Sequence, residues 1–219
     1  MDGFSLEHFG MVLQGHRDWL SSDLYKTTVY SDKMLLTRSA APTVPEDEGH
    51  TYVSRRFDRT RSGVRKAFVS AMTMLQRKDG EPGASYLELV ELLQTRGANT
   101  RSDCAQLFRR VVFNICVSNT DDHLRNHGFF IEANGLVLSP AYDMNPNTER
   151  GELSIAIDEV NTSCDVDVAL RAASGYGLGA ADADAIVTEV RTAVAKWRDE
   201  AASMGIARGE QNRMQTAFR

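Results

Sequence analysis

Leu107, Phe108, Val111, Val112, Ile115 and Cys116 recur at i, i+4 and i+8 on two adjacent rows. A stripe this wide belongs to a helix buried on most of its sides rather than one lying on a surface. Ser102-Asp103 supplies residue types that cap such a helix at its start, and the stripe stops at Ser118-Asn119-Thr120-Asp121-Asp122, a run of turn formers. A polar loop therefore hangs directly from a rigid core element. Beyond it, Phe129-Phe130-Ile131 and Leu136-Val137-Leu138 flank Glu132-Ala133-Asn134-Gly135, in which Asn-Gly is a strong hairpin signal. A hairpin here turns the chain back and delivers Asp143 towards Asn126.

The flanking sequence is mainly helical. Thr51-Tyr52-Val53-Ser54-Arg55-Arg56-Phe57 reads as a strand, ended by the turn Asp58-Arg59-Thr60-Arg61-Ser62-Gly63. Phe68, Met72 and Leu75 are spaced for one helix face, and Tyr86, Leu89, Val90 and Leu93 for a second, with Gly80-Glu81-Pro82-Gly83 breaking the chain between them. Helical spacing returns at 166–173 and in a long segment carrying Ile186, Val190, Val194, Trp197, Ala201 and Met204 on one face, followed by a short helix from Arg208. Trp19 and Trp197 read as packing residues. The expected fold class is mainly α with a few short strands (α+β), closer to the larger lobe of a protein kinase than to a doubly wound sheet. Ala40 to Gly49 has the composition of a linker and divides the chain into residues 1–50 and 51–219.

Composition narrows the function classes. The 219 residues carry a formal charge of −5, with 25% charged and 42% hydrophobic residues, which is ordinary for a cytoplasmic globular protein and makes no global case for nucleic acid. Arg55, Arg56, Arg59, Arg61, Arg65 and Lys66 form a local basic run that reads as a solvated face or as a surface for phosphates or an acidic partner. Cys104, Cys116 and Cys164 are widely spaced and form no C-x-x-C pair, so neither a disulfide framework nor a zinc site is expected. No run reaches the roughly 20 apolar residues that cross a bilayer, and Met1-Asp2-Gly3-Phe4 does not open a signal peptide. The expected compartment is the cytoplasm, with no membrane partner.

An aspartate, an asparagine five residues later and a second aspartate beyond a hairpin have the spacing of a phosphotransferase site. Asp121 fits a base that orients or deprotonates an acceptor hydroxyl. Asn126 and Asp143 offer neutral and anionic oxygens suited to Mg²⁺, the remaining positions going to water and to phosphates of ATP. Arg125 is a candidate cation for the transferring phosphate, against the plainer reading of a solvated arginine. His123 reads as fastening the loop through its ring, and Asp122 as exposed. Two other arrangements stay open: His123 and His127 with Asp121 or Asp122 as a transition-metal site, and Asp121, His123 and Asp143 as a metal-dependent phosphoesterase.

The run from Phe113 to Asn126, together with Leu138-Ser139-Pro140-Ala141-Tyr142-Asp143, resembles the C-terminal lobe of HipA-type serine/threonine kinases, toxins of bacterial toxin–antitoxin pairs. Arg55-Arg56-Phe57-Asp58-Arg59 is similar to the family's hinge segment, and Phe68 to Leu75 to the helix that follows it. The resemblance implies Asp121 as catalytic base, Asn126 and Asp143 as Mg²⁺ ligands, and a nucleotide bordered by Arg56, Phe57 and His123. It implies phosphorylation of a protein hydroxyl in the translation machinery and a helix-turn-helix antitoxin as partner, with DNA reached only through that partner.

A complete family member also carries an N-terminal lobe with a phosphate-covering loop and a strand lysine. Gly3, Gly10 and Gly15 form no G-x-G-x-x-G pattern, and Lys26, within Leu24-Tyr25-Lys26-Thr27-Thr28-Val29-Tyr30, is the candidate lysine. The resemblance therefore implies an N-terminal lobe that is missing or vestigial and a weakly active kinase. Its rival is a non-catalytic module that binds an antitoxin-like protein.

Overall fold

A helix of 17 residues, Thr100–Cys116, forms the axis around which the other elements are arranged. The computed structural model describes residues 57–60, 62–149, 151–203 and 206–219. Of the strand expected over 51–57 only Phe57 falls within them, in a turn; residues 1–56, with Lys26, Arg55 and Arg56, lie outside the described residues, as do Arg61 and Met204.

In chain order the elements are β1 (Phe68–Ser70), α1 (Ala71–Met74), α2 (Tyr86–Arg96), α3 (Thr100–Cys116), β2 (Gly128–Glu132), β3 (Gly135–Leu138), α4 (Val166–Ala172), α5 (Ala180–Val194), α6 (Trp197–Ser203) and α7 (Arg208–Met214). Short 3-10 turns at Leu124–Asn126, Ala173–Tyr176 and Gln215–Ala217 complete them. Helix α3 packs against α2, α4 and α5. Leu107, Phe108, Val111, Val112 and Phe113 are fully buried along it. The double row of apolar residues thus produced the central helix that its width required.

The expected hairpin is present. β1, β2 and β3 form an antiparallel sheet in that order, with Phe68 opposite Phe130 and Glu132 opposite Gly135. Gly135 adopts φ +136°, and a Cβ there would lie 2.5 Å from the Arg96 carbonyl oxygen, so the turn and the end of α2 approach each other only because this residue is glycine. The edge of β3 is closed by the segment after α2, where Ala98 N–H donates to the Leu136 carbonyl at 2.8 Å.

Three expectations about local structure are corrected. Phe68 to Leu75 is not one helix: Phe68–Ser70 is a strand, because β2 satisfies its backbone, and Ser70 then caps the short α1 by accepting from Thr73 N–H at 3.2 Å. Spacing of i, i+4 and i+7 cannot see a sheet partner some 60 residues away. Ser102 and Asp103 do not cap α3, which starts at Thr100; Asp103 instead turns inward and accepts from Leu138 N–H at 2.9 Å, tying α3 to β3. The long helical segment is broken between Val194 and Trp197, where Asp199 and Glu200 N–H both donate to the Lys196 carbonyl and start a new helix. The break lets Trp197 stack on Phe218 at 4.2 Å while both helices keep their apolar sides inward.

Candidate functional site

The loop leaving α3 is anchored at its root. Ser118 takes φ +53°, a left-handed conformation costing a non-glycine residue about 1–3 kcal/mol, and its hydroxyl donates to the Ala217 carbonyl at 3.0 Å. Asn119 is bonded twice to Asn114 of α3, through its backbone N–H at 2.8 Å and its side-chain amide at 3.0 Å. Asp121 follows, exposed to solvent.

Asp122, expected to be exposed, is 1% exposed. Its Oδ2 accepts from Asn114 Nδ2 at 2.8 Å, from His127 Nε2 at 2.8 Å and from the Tyr86 hydroxyl. Burial, reinforced by the neighbouring Asp122 charge, pushes the Tyr86 phenol well above its ordinary value and keeps it a donor. A buried carboxylate needs such partners, and they come from α2, α3 and the far end of its own loop. Asp122 and Asp121 therefore face opposite ways, one into the core and one into solvent. The same geometry gives His127, rather than His123, the task of fastening the loop. Asn114, a polar residue inside the apolar stripe, was the available signal for this network.

Asp143 is brought to the loop by a segment fastened on both sides of it. Before it, the Tyr142 hydroxyl donates to the Arg125 carbonyl at 2.6 Å, beside Asn126. After it, Asn147 N–H donates to the Val117 carbonyl at 3.2 Å and Asn147 Nδ2 to Thr120 Oγ1 at 2.7 Å, beside Asp121. The buried Arg110 guanidinium donates to the Ser139 carbonyl and so holds the approach to this segment. Burial lowers that guanidinium to about 10, against the opposing pull of Asp122, Tyr142 and Asp103. Asp143 itself is exposed at φ +56°, with Asn145 Nδ2 donating to its Oδ1 at 2.9 Å. Asp121, Asn126 and Asp143 thus belong to two segments sewn together at Thr120 and Arg125.

Arg125 is exposed and paired: Nη1 forms an ion pair with Asp79, and Nη2 contacts His123 Nε2 at 3.1 Å. Phe57 joins Phe68, Phe130 and Tyr142 in an aromatic cluster, with ring centroids 5.4–5.9 Å from its own, and Lys66 Nζ lies 4.9 Å from the Phe130 ring centre. Gly128 leaves room for the Phe68 ring to lie over the strand. The cluster stands next to Asp143 through Tyr142, whereas Arg56 lies outside the described residues.

The donor set fits a hard cation better than a soft one. Buried Asn126 carries one amide oxygen and exposed Asp143 a carboxylate whose Oδ1 accepts from Asn145 and whose Oδ2 is left by that bond, oxygen ligands that suit Mg²⁺ with its remaining positions filled by water and phosphate. The His123 and His127 arrangement does not form: His127 Nε2 is committed to Asp122, and no group of three His, Cys, Asp or Glu able to hold a metal occurs among the described residues.

Comparison with known proteins agrees with this architecture. The chain matches the family described as the HipA-like C-terminal domain over residues 32–197. No curated protein matches it. Among solved structures it is similar to a chain of the Shewanella oneidensis MR-1 toxin–antitoxin complex of HipA, HipB and operator DNA, at 18% identity and a TM-score of 0.57. That match covers 74% of this chain and 45% of the other, so this chain spans less than half the length of its structural relative. The family match takes in α3, the hairpin and both segments of the site, and the chain belongs to the HipA-like C-terminal domain family.

Proposed function

We propose that this protein is a HipA-like serine/threonine kinase module that transfers the γ-phosphate of ATP to a protein hydroxyl. The observation that carries the reading is the double fastening of the Asp143 segment to the loop of Asp121 and Asn126, through Tyr142 to Arg125 and through Asn147 to Thr120. Asp121, exposed at the rim, accepts a hydrogen bond from the incoming hydroxyl and takes its proton as the hydroxyl oxygen bonds to the γ-phosphorus and the bond from that phosphorus to the β,γ-bridging oxygen breaks, releasing ADP. Asn126 and Asp143 would hold Mg²⁺, which when bound offsets the charge on the phosphates. Phe57, Phe68 and Tyr142 offer ring faces beside that centre for the adenine base. The work of such a site is mainly positioning and electrostatics, so the fixed relation of its two segments is what the fold contributes.

By the same reading the module pairs with a helix-turn-helix antitoxin, as the similar Shewanella complex contains HipB and operator DNA, and meets DNA only through that partner. Its acceptor belongs to the translation machinery. A second reading, a non-catalytic module that binds an antitoxin-like protein, draws on the Asp79 ion pair, which occupies the Arg125 cation. Labelling with γ-labelled ATP separates them. Label on a serine or threonine that disappears in Asp121→Ala supports the kinase, and label that is unchanged in that variant contradicts it.

A further inference from the structure

We propose that the buried bond between His127 Nε2 and Asp122 Oδ2 is a positioning clasp that sets Asp121 and Asn126 together. Asp122 directly follows Asp121, and His127 directly follows Asn126. The 2.8 Å bond between the two clasp residues closes the five-residue span that separates the two functional ones. Neither clasp residue is available to a ligand, since they are 1% and 2% exposed. A carboxylate that collects three donors on one oxygen in the core has no free lone pair for substrate on that side, and its chemistry there is to hold its neighbours.

The clasp is joined to the rigid part of the molecule at three places. Asn114 connects it to α3, the Tyr86 hydroxyl connects it to α2, and Ala71 N–H donates to the His127 carbonyl at 2.8 Å, connecting it to α1. The Tyr86 ring also meets the His127 ring edge to face, with centroids 5.5 Å apart at 87°. Between the clasp residues Leu124 and Asn126 are buried and Arg125 is exposed, while Asp121, one residue before the clasp, is exposed, so the clasp fixes an exposed carboxylate at one end of the span and a buried amide at the other. Breaking one bond moves both of its ends, and a displacement of about 1 Å at a reacting centre can cost about a hundredfold in rate. The roles of Asp121 and Asn126 rest on the kinase reading; the clasp geometry does not.

The test uses the whole chain with His127→Ala, His127→Gln, which keeps a donor nitrogen for Asp122, and Glu91→Ala, an exposed control on α2. Calorimetric titration with ATP and Mg²⁺ is paired with hydrogen exchange of the backbone amides of 119–126. Expected are a loss of at least about tenfold in affinity for His127→Ala, partial recovery in His127→Gln, and faster exchange confined to 119–126, with α3 still protected. Wild-type affinity in a folded His127→Ala, or a loss that His127→Gln does not recover at all, overturns the clasp. If the wild-type chain binds no ATP, the kinase reading fails, and exchange alone decides the clasp: selective loosening of 119–126 supports it, and unchanged or uniform exchange contradicts it. If His127→Ala does not fold, His127→Gln and Asp122→Asn are judged by the same exchange pattern.

Discussion

The Tyr142 hydroxyl donates to the backbone carbonyl of Arg125 at 2.6 Å, and this contact joins the segment that carries Asp143 to the loop that carries Asn126. Tyr142→Phe removes the bond but keeps the ring beside Phe57 and Phe68. The expected outcome is a folded protein less stable by about 1 kcal/mol, with weaker magnesium-dependent ATP binding. Urea unfolding and calorimetry on the same preparation check the two parts separately.

The same phenol gives a pH signature. Burial pushes Tyr142 from 10.0 up to about 12, with Asp122 and Asp143 adding to the rise and Arg110 opposing it. A group whose folded value lies above its unfolded value contributes stability that is complete below the unfolded value and lost as pH rises through the folded one. The contribution of this phenol is therefore whole below pH 10.0 and disappears towards about 12. Ultraviolet titration of the folded protein is expected to show a late phenol near 12 that is missing from Tyr142→Phe.

Asp79 holds Arg125 in an exposed pair. Asp79→Ala is expected to change stability by less than about 1 kcal/mol, since exposed pairs contribute little, and to lower the KM for ATP by freeing the guanidinium. Raising the salt concentration is expected to reduce the difference between the variant and the wild type. A KM that rises instead would show that Arg125 needs its carboxylate partner.

Phe113 is fully buried in α3, one residue before Asn114. Phe113→Ala is expected to cost about 3–5 kcal/mol in urea unfolding, through lost burial and the cavity left behind. Glu91→Ala, on the exposed side of α2, is expected to stay within about 0.5 kcal/mol.

What could be read in the sequence was local. The double apolar row of α3, the Asn-Gly hairpin and the polar loop between them are each written within a short stretch, and the structure contains all three. What could not be read depended on partners distant in the chain. Asp122 looks like any turn aspartate until Tyr86 and His127 converge on it. Phe68–Ser70 has helical spacing until β2 claims its backbone. Asp103 has the chemistry of a cap, but Leu138 N–H recruits it into the core. The spacing of the three candidate residues was visible, while Tyr142, Asn147 and Arg110, which tie their two segments together, act through backbone carbonyls or a neighbouring hydroxyl that carry no sequence signal.

On the proposed kinase reading, the two segments sewn together at Thr120 and Arg125 make one magnesium-dependent nucleotide site. The most direct measurement is calorimetric titration of ATP into the wild-type chain and into the Asn126→Ala and Asp143→Ala variants, with Mg²⁺ and with a chelator. One bound ATP per chain is expected, requiring Mg²⁺ and weakening at least about tenfold in each variant. Absence of ATP binding by the folded wild type, or binding indifferent to both substitutions, would contradict it.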